Sequence, residues 1–106
     1  MSAEGPVAVD LAAMSEFARD GIVSKSIVEN ERHKVILFAL AAGQELSEHT
    51  ASVPAVIHVV SGVGTVELGG QEHEARPGML YYMPAESRHA VRARDDLVFV
   101  LTMFRD

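Results

Sequence analysis

The sequence predicts an all-β domain, a sandwich or closed barrel, carrying one short helix on its amino-terminal side. Three observations lead there. Beyond Gly21 the chain divides into short apolar or alternating runs with turn signals every ~8–12 residues, the spacing of sandwiches and barrels. Helical periodicity occurs once, before that point. The chain has 106 residues, 48% of them hydrophobic, which suits one compact domain able to bury a core and excludes intrinsic disorder.

The helix is expected to start at Asp10, whose side chain can cap it. Leu11, Met14, Phe17 and Ala18 recur at helical spacing, and Gly21 stands where a helix stops. The stripe is short, so two or three turns packed on a sheet are predicted. Strands follow. Ile22–Val28 alternates loosely, and Lys34–Leu40 is apolar on both faces, as in a strand covered on two sides. Ala41-Ala42-Gly43 breaks the run. Ala55–Val60 is a strand ended by Ser61-Gly62-Val63-Gly64. Thr65–Leu68 and Gln71–Arg76 flank Gly69-Gly70, a two-residue hairpin signal because glycine accepts positive φ. Met79–Met83, His89–Arg94 and Leu97–Phe104 complete the domain, separated by Pro84-Ala85 and Asp95-Asp96.

Composition excludes several functions. Nine Lys+Arg against 15 Asp+Glu give a net charge of −6, and the arginines are scattered, which argues against nucleic acid or an anionic membrane as partner. The longest apolar runs, Val35–Ala42 and Leu97–Phe104, fall far short of the ~18 residues of a membrane-spanning helix. The acidic amino terminus lacks a hydrophobic signal core, so a cytoplasmic location is expected. With no cysteine, there is no thiolate ligand or nucleophile, and any metal must be held by histidine and oxygen. Gly62-Val63-Gly64 lies between strands and reads as a turn, not a phosphate loop.

The chemistry that remains is histidine: His33, His49, His58, His73 and His89. His33 lies in a polar turn and His73 in the charged run Gln71-Glu72-His73-Glu74, where exposure is expected for both. Alternation from His89 sets His89, Val91 and Ala93 on one side and Arg88, Ala90, Arg92 and Arg94 on the other. An arginine-rich face belongs in water, so His89 is expected to face inward.

Gly43-(x)5-His49, with Gly62 ending the next strand, resembles the first motif of the cupins. Pro77-Gly78-Met79-Leu80-Tyr81-Tyr82-Met83-Pro84 followed by His89 resembles their second. The likeness covers roughly residues 24–104 and is to small single-domain cupins of the RmlC-like, type-2 kind, with a degenerate first motif. It implies a double-stranded β-helix, the cupin jelly-roll barrel, whose interior opens on a small-molecule or metal site. Residues 1–23 would be an amino-terminal segment with the short helix, and residues 24–106 the barrel domain.

Cupins that hold a metal use two histidines and a glutamate from the first motif and a histidine from the second. By this resemblance His49 and His89 keep their places, whereas Ala51 and Ala55 stand where the second histidine and the glutamate would be. His58 becomes a third ligand only if a bulge beside Pro54 reverses its parity; if Ala55 points inward, so do Ile57 and Val59, and His58 points out. The candidate metal ligands are therefore His49, His89 and His58, for a divalent Zn, Ni, Fe or Mn. The two alanines remove bulk from the barrel, and the space either collapses or holds water or ligand; the residues expected to line it are Ala51, Ala55, Ile57, Val59, Met83, Leu101 and Met103. Tyr81 and Tyr82 must face opposite ways, and Tyr82, which shares parity with Pro84, is the one assigned to the pocket.

Three functions are left open. The first is a cupin that binds a small molecule, with or without a divalent metal. The second is a metal-dependent oxygenase or isomerase acting on a small organic acid or aromatic compound. The third is a non-catalytic sensor or assembly module. The resemblance also implies a homodimer, expected to cover the apolar faces of Val35–Leu40 and Leu97–Phe104.

Overall fold

A computed structural model describes residues 5–105, apart from the side chain of His49. Nine strands form two antiparallel sheets facing each other. They are β1 (Ile22–Glu29), β2 (His33–Leu40), β3 (Glu45–Thr50), β4 (Ala55–Ser61), β5 (Gly64–Leu68), β6 (Gln71–Ala75), β7 (Leu80–Met83), β8 (Arg88–Ala93) and β9 (Leu97–Phe104). One sheet runs β1-β2-β9-β4-β7 and the other β3-β8-β5-β6. This is the jelly-roll barrel that the cupin-like motifs implied.

Alternation along the strands builds the interior. Leu40, Ala55, Ile57, Val59, Val66, Tyr81, Met83, Val91, Ala93, Leu97 and Phe99 form one buried cluster, with Phe38 stacked on Phe99 at 5.2 Å between ring centroids. Gly62 closes the turn after β4 at a φ of +91°, and a Cβ there would collide with the Asp96 carbonyl, so the position requires glycine on both counts. Gly69 and Gly70, both at positive φ, make the predicted β5–β6 hairpin.

The expected two-sided covering of β2 is present. Leu37, Ala39 and Val98 lie on the outer face of their sheet, and none is exposed, because Leu11, Met14, Val23, Ile27 and Val60 pack over them. Burying a leucine in this way contributes about 2 kcal/mol. The surface expected to be covered in a dimer is thus already covered within the chain at these residues.

The helix is shorter than predicted. α1 spans only Leu11–Met14, with the Asp10 carboxylate accepting from the Ala12 and Ala13 amides at 3.0 and 3.3 Å. At Ser15 the chain becomes extended, and the Ser15 hydroxyl donates to the Leu11 carbonyl at 2.8 Å. Leu11 and Met14 reach the sheet, but Phe17 is 39% exposed. Without apolar contact to reward further turns, helical spacing alone does not extend the helix.

Strand β3 was not foreseen. Its sequence, ELSEHT, is largely polar, and its pairing with β8 shifts between Leu46 and His49. Leu46 faces Val91 in register, and His49 pairs with His89, so three steps on β3 match two on β8. Such a bulge breaks the alternation by which strands are recognised.

Candidate site at the His89 end of the barrel

His89 is 5% exposed, the one ionisable side chain besides Tyr81 among the buried residues described. Its place on β8 between Arg88 and Ala90 turns it inward with Val91 and Ala93, as alternation predicted. Nδ1 lies 3.3 Å from the Ser87 carbonyl. A carbonyl only accepts, so in this contact Nδ1 is the donor. The β-strand register sets His89 opposite His49 on one side and Leu68 on the other. The assignment of His49 as a ligand depends on its side chain, which lies outside the described residues.

The opposing sheet supplies the apolar wall. Ala55, 2% exposed, is flanked in register by Met83 on β7 and Met103 on β9. Ile57, 1% exposed, is flanked by Tyr81 and Leu101. Ala51 lies half-buried in the β3–β4 loop, and its carbonyl accepts from the Glu86 amide at 2.8 Å, tying that loop to the β7–β8 loop. Glu86 holds a φ of +67°, unusual for a residue with a side chain. Ala55, Ile57 and Met103 therefore line the interior as expected.

Two assignments are corrected. Tyr82 is 60% exposed and faces outward opposite Val56, while Tyr81 is 4% exposed and points inward beside Ile57. Met83, buried at 2%, shares the parity of Tyr81 and carries the strand's inward face, so parity with Pro84 was the wrong guide. His58 is exposed, between Leu80 and Val100 on the outer face. No bulge occurs beside Pro54; the register shift of β4 falls between Val59 and Ser61, past His58, so His58 and His89 are not brought together.

Tyr81 and His73, which the sequence pattern put on the outer side, turn inward. The Tyr81 hydroxyl donates to the Glu74 carbonyl, and burial, reinforced by Glu74 and opposed by Arg76, raises its pKa above the ordinary phenol value. His73 is half-buried, not exposed, with its ring 6.3 Å from that of Tyr81. Its register partner Val66 is fully buried, which is the signal that would have turned it inward. Outside the barrel, an open groove of about 300 Å³ runs along β5 and β6. Its carboxylates Glu72 and Glu74 are held by Arg92 at 2.5 Å and Arg76 at 3.1 Å.

Ala51 and Ala55 offer no metal-ligating side chain, and among the described residues, which leave out the His49 side chain, no cluster of three or more His, Asp or Glu that could hold an ion is present.

Comparison with known proteins agrees with this architecture. The family described as Cupin domain matches residues 36–104. The L-ectoine synthase of Sphingopyxis alaskensis is 36% identical over 61 residues, covering 56% of this chain and 44% of that protein, so the chain matches less than half of the enzyme's length. A cupin superfamily protein from Desulfitobacterium hafniense superposes with a TM-score of 0.87 at 20% identity, covering 100% of this chain and 95% of its own. A mutant of salicylate 1,2-dioxygenase from Pseudoaminobacter salicylatoxidans superposes with a TM-score of 0.75 at 16% identity, over 79% of this chain and 26% of its own. The two structural likenesses show the fold.

Proposed function

The chain belongs to the cupin family, and from that premise we propose that it binds a small, largely apolar molecule at the His89 end of the barrel. The observation that carries this reading is the buried imidazole of His89, at the end of the barrel where the facing sheet presents Ala55, Met83 and Met103. A mostly apolar interior with one or two convergent polar groups is the usual form of a small-molecule site. In this reading, His89 is the polar group beside the ligand, and the methionines adapt to its shape. Calorimetric titration with benzamide tests it. Binding to the wild type that is lost in Ala55→Phe supports the site, and a wild type that binds neither benzamide nor benzoate overturns it.

A second reading rests on the register that sets His49 directly opposite His89. Cross-strand neighbours are close enough for two imidazoles to share one ion. Two protein ligands make a weak site, so the expected result is substoichiometric divalent metal in protein purified without a histidine tag. One full equivalent of metal that His49→Ala does not lower would remove this assignment. The activity that would go with this reading is that of a metal-dependent oxygenase or isomerase acting on a small organic acid or aromatic compound.

The homodimer is likewise proposed, on a different surface from the one expected. Leu80 at 63% and Tyr82 at 60% are the exposed large apolar residues of the β4–β7 side, beyond the part of the sheet covered by α1.

A further inference from the structure

One row of register partners crosses the entire five-stranded sheet at the level of the candidate site: Glu29, Lys34, Met103, Ala55 and Met83. Register partners in an antiparallel sheet share a face, so Lys34 stands on the same side as Met103 and Ala55. Its side chain is 28% exposed. It is a cation in a row otherwise made of two methionines, an alanine and one carboxylate. Adjacent strands lie about 4.8 Å apart, so Lys34 and Ala55, two strands apart, are separated by roughly 10 Å, the span of an aromatic ring with a polar group at its edge.

The carboxylate does not consume this cation. A single oxygen of Glu29, Oε2, lies 3.7 Å from Lys34 Nζ and 3.6 Å from Arg105 Nη2. Both distances exceed the ~2.7–2.9 Å of a charge-assisted hydrogen bond. Arg105 is held elsewhere, donating to the Asn30 carbonyl at 3.1 Å. Two cations thus share one loosely placed carboxylate, leaving local positive charge on a protein whose net charge is −6. The neighbouring Glu31 and Arg32 are exposed in the β1–β2 turn and offset each other.

We propose that Lys34 anchors an anionic group of the bound molecule, and that the ligand is a small monocarboxylate with an apolar or aromatic body. This rests on the reading of the His89 end as a small-molecule site. The apolar body lies against Ala55 and Met103, and the carboxylate accepts from the Lys34 ammonium, in competition with Glu29.

The test compares benzoate with its neutral counterpart benzamide by calorimetry at low ionic strength. Benzoate is expected to bind at least about tenfold more tightly, the scale of one charge-assisted hydrogen bond, with the difference shrinking as salt is added. Lys34→Met, which keeps the apolar stem, should bring benzoate to the level of benzamide. Glu29→Gln should tighten benzoate by removing its competitor. If benzamide binds and benzoate gains nothing, or if Lys34→Met leaves the benzoate preference intact, the anchor is overturned while the small-molecule site stands. Binding of neither probe overturns the site and the anchor together.

Discussion

The two ends of the barrel interior are made by the same strands and the same alternation, yet they are filled differently. At one end Phe99, Leu97, Leu40 and Val59 pack with Phe38 into a continuous apolar core, and Gly64 lets β5 run against β8. At the other, His89, Ala55, Met83 and Met103 combine a buried polar ring with small or flexible side chains. The fold needs only apolar residues at inward positions, and the first end supplies them in bulk. The second departs from that rule at His89 without need of it for folding. A rule broken inside an otherwise consistent core is where function is most often found.

The sharpest way to break this comparison is the same substitution at both ends. Ala93, 5% exposed, pairs with Gly64 at the packed end, and Ala93→Phe should overpack it, costing about 3 kcal/mol or more and lowering the melting temperature by roughly ten degrees or more. Ala55→Phe should leave the melting temperature unchanged or raised if the His89 end holds space for a ligand. Equal falls for the two variants would mean that both ends are packed core.

Tyr81 gives the next effect. Its hydroxyl donates to the Glu74 carbonyl, so Tyr81→Phe should cost about 1 kcal/mol at neutral pH. The pH dependence has a defined sign. Burial raises the pKa of the folded phenol, so below the unfolded value of about 10 both states keep the proton and Tyr81 contributes no slope. Above that value the unfolded chain ionises first, and stability falls as pH rises until the folded phenol ionises too. Denaturant titrations between neutral and strongly alkaline pH should show this loss in the wild type and a smaller one in Tyr81→Phe. An identical alkaline slope in both would show that the ring is not held in a desolvated place.

These residues also mark where the sequence is legible. Strands whose apolar run or alternation is unbroken, such as β2, β8 and β9, are found from pattern, and the arginine face of β8 correctly turns His89 inward. The cupin motifs then order the strands, which periodicity could not do. Patterns interrupted by tertiary structure are not legible. The bulge between Leu46 and His49 hides β3, and the helix stripe through Phe17 promises turns that the sheet does not reward. Tyr81 and Tyr82 show the subtlest failure. Their opposite orientation is certain from strand geometry, but which one faces inward is decided by the pairing of β7 with β4, a long-range contact absent from the local sequence.

That pair of tyrosines provides the smallest effect on folding. Tyr82 is 60% exposed, in contrast to its buried neighbour, so Tyr82→Ser should change the stability of the isolated chain by no more than about 0.5 kcal/mol. A larger loss would contradict the assignment of inside and outside along β7. Association should respond instead. Leu80 and Tyr82 leave an apolar strip on the outer face of the sheet beyond the part that Leu11 and Met14 cover, and a two-fold pairing would bring each strip against its copy. Sedimentation equilibrium at micromolar concentration should find the wild type as a dimer and Tyr82→Ser shifted towards monomer. A monomeric wild type would refute the pairing, and a dimer insensitive to Tyr82→Ser would place its interface on another face.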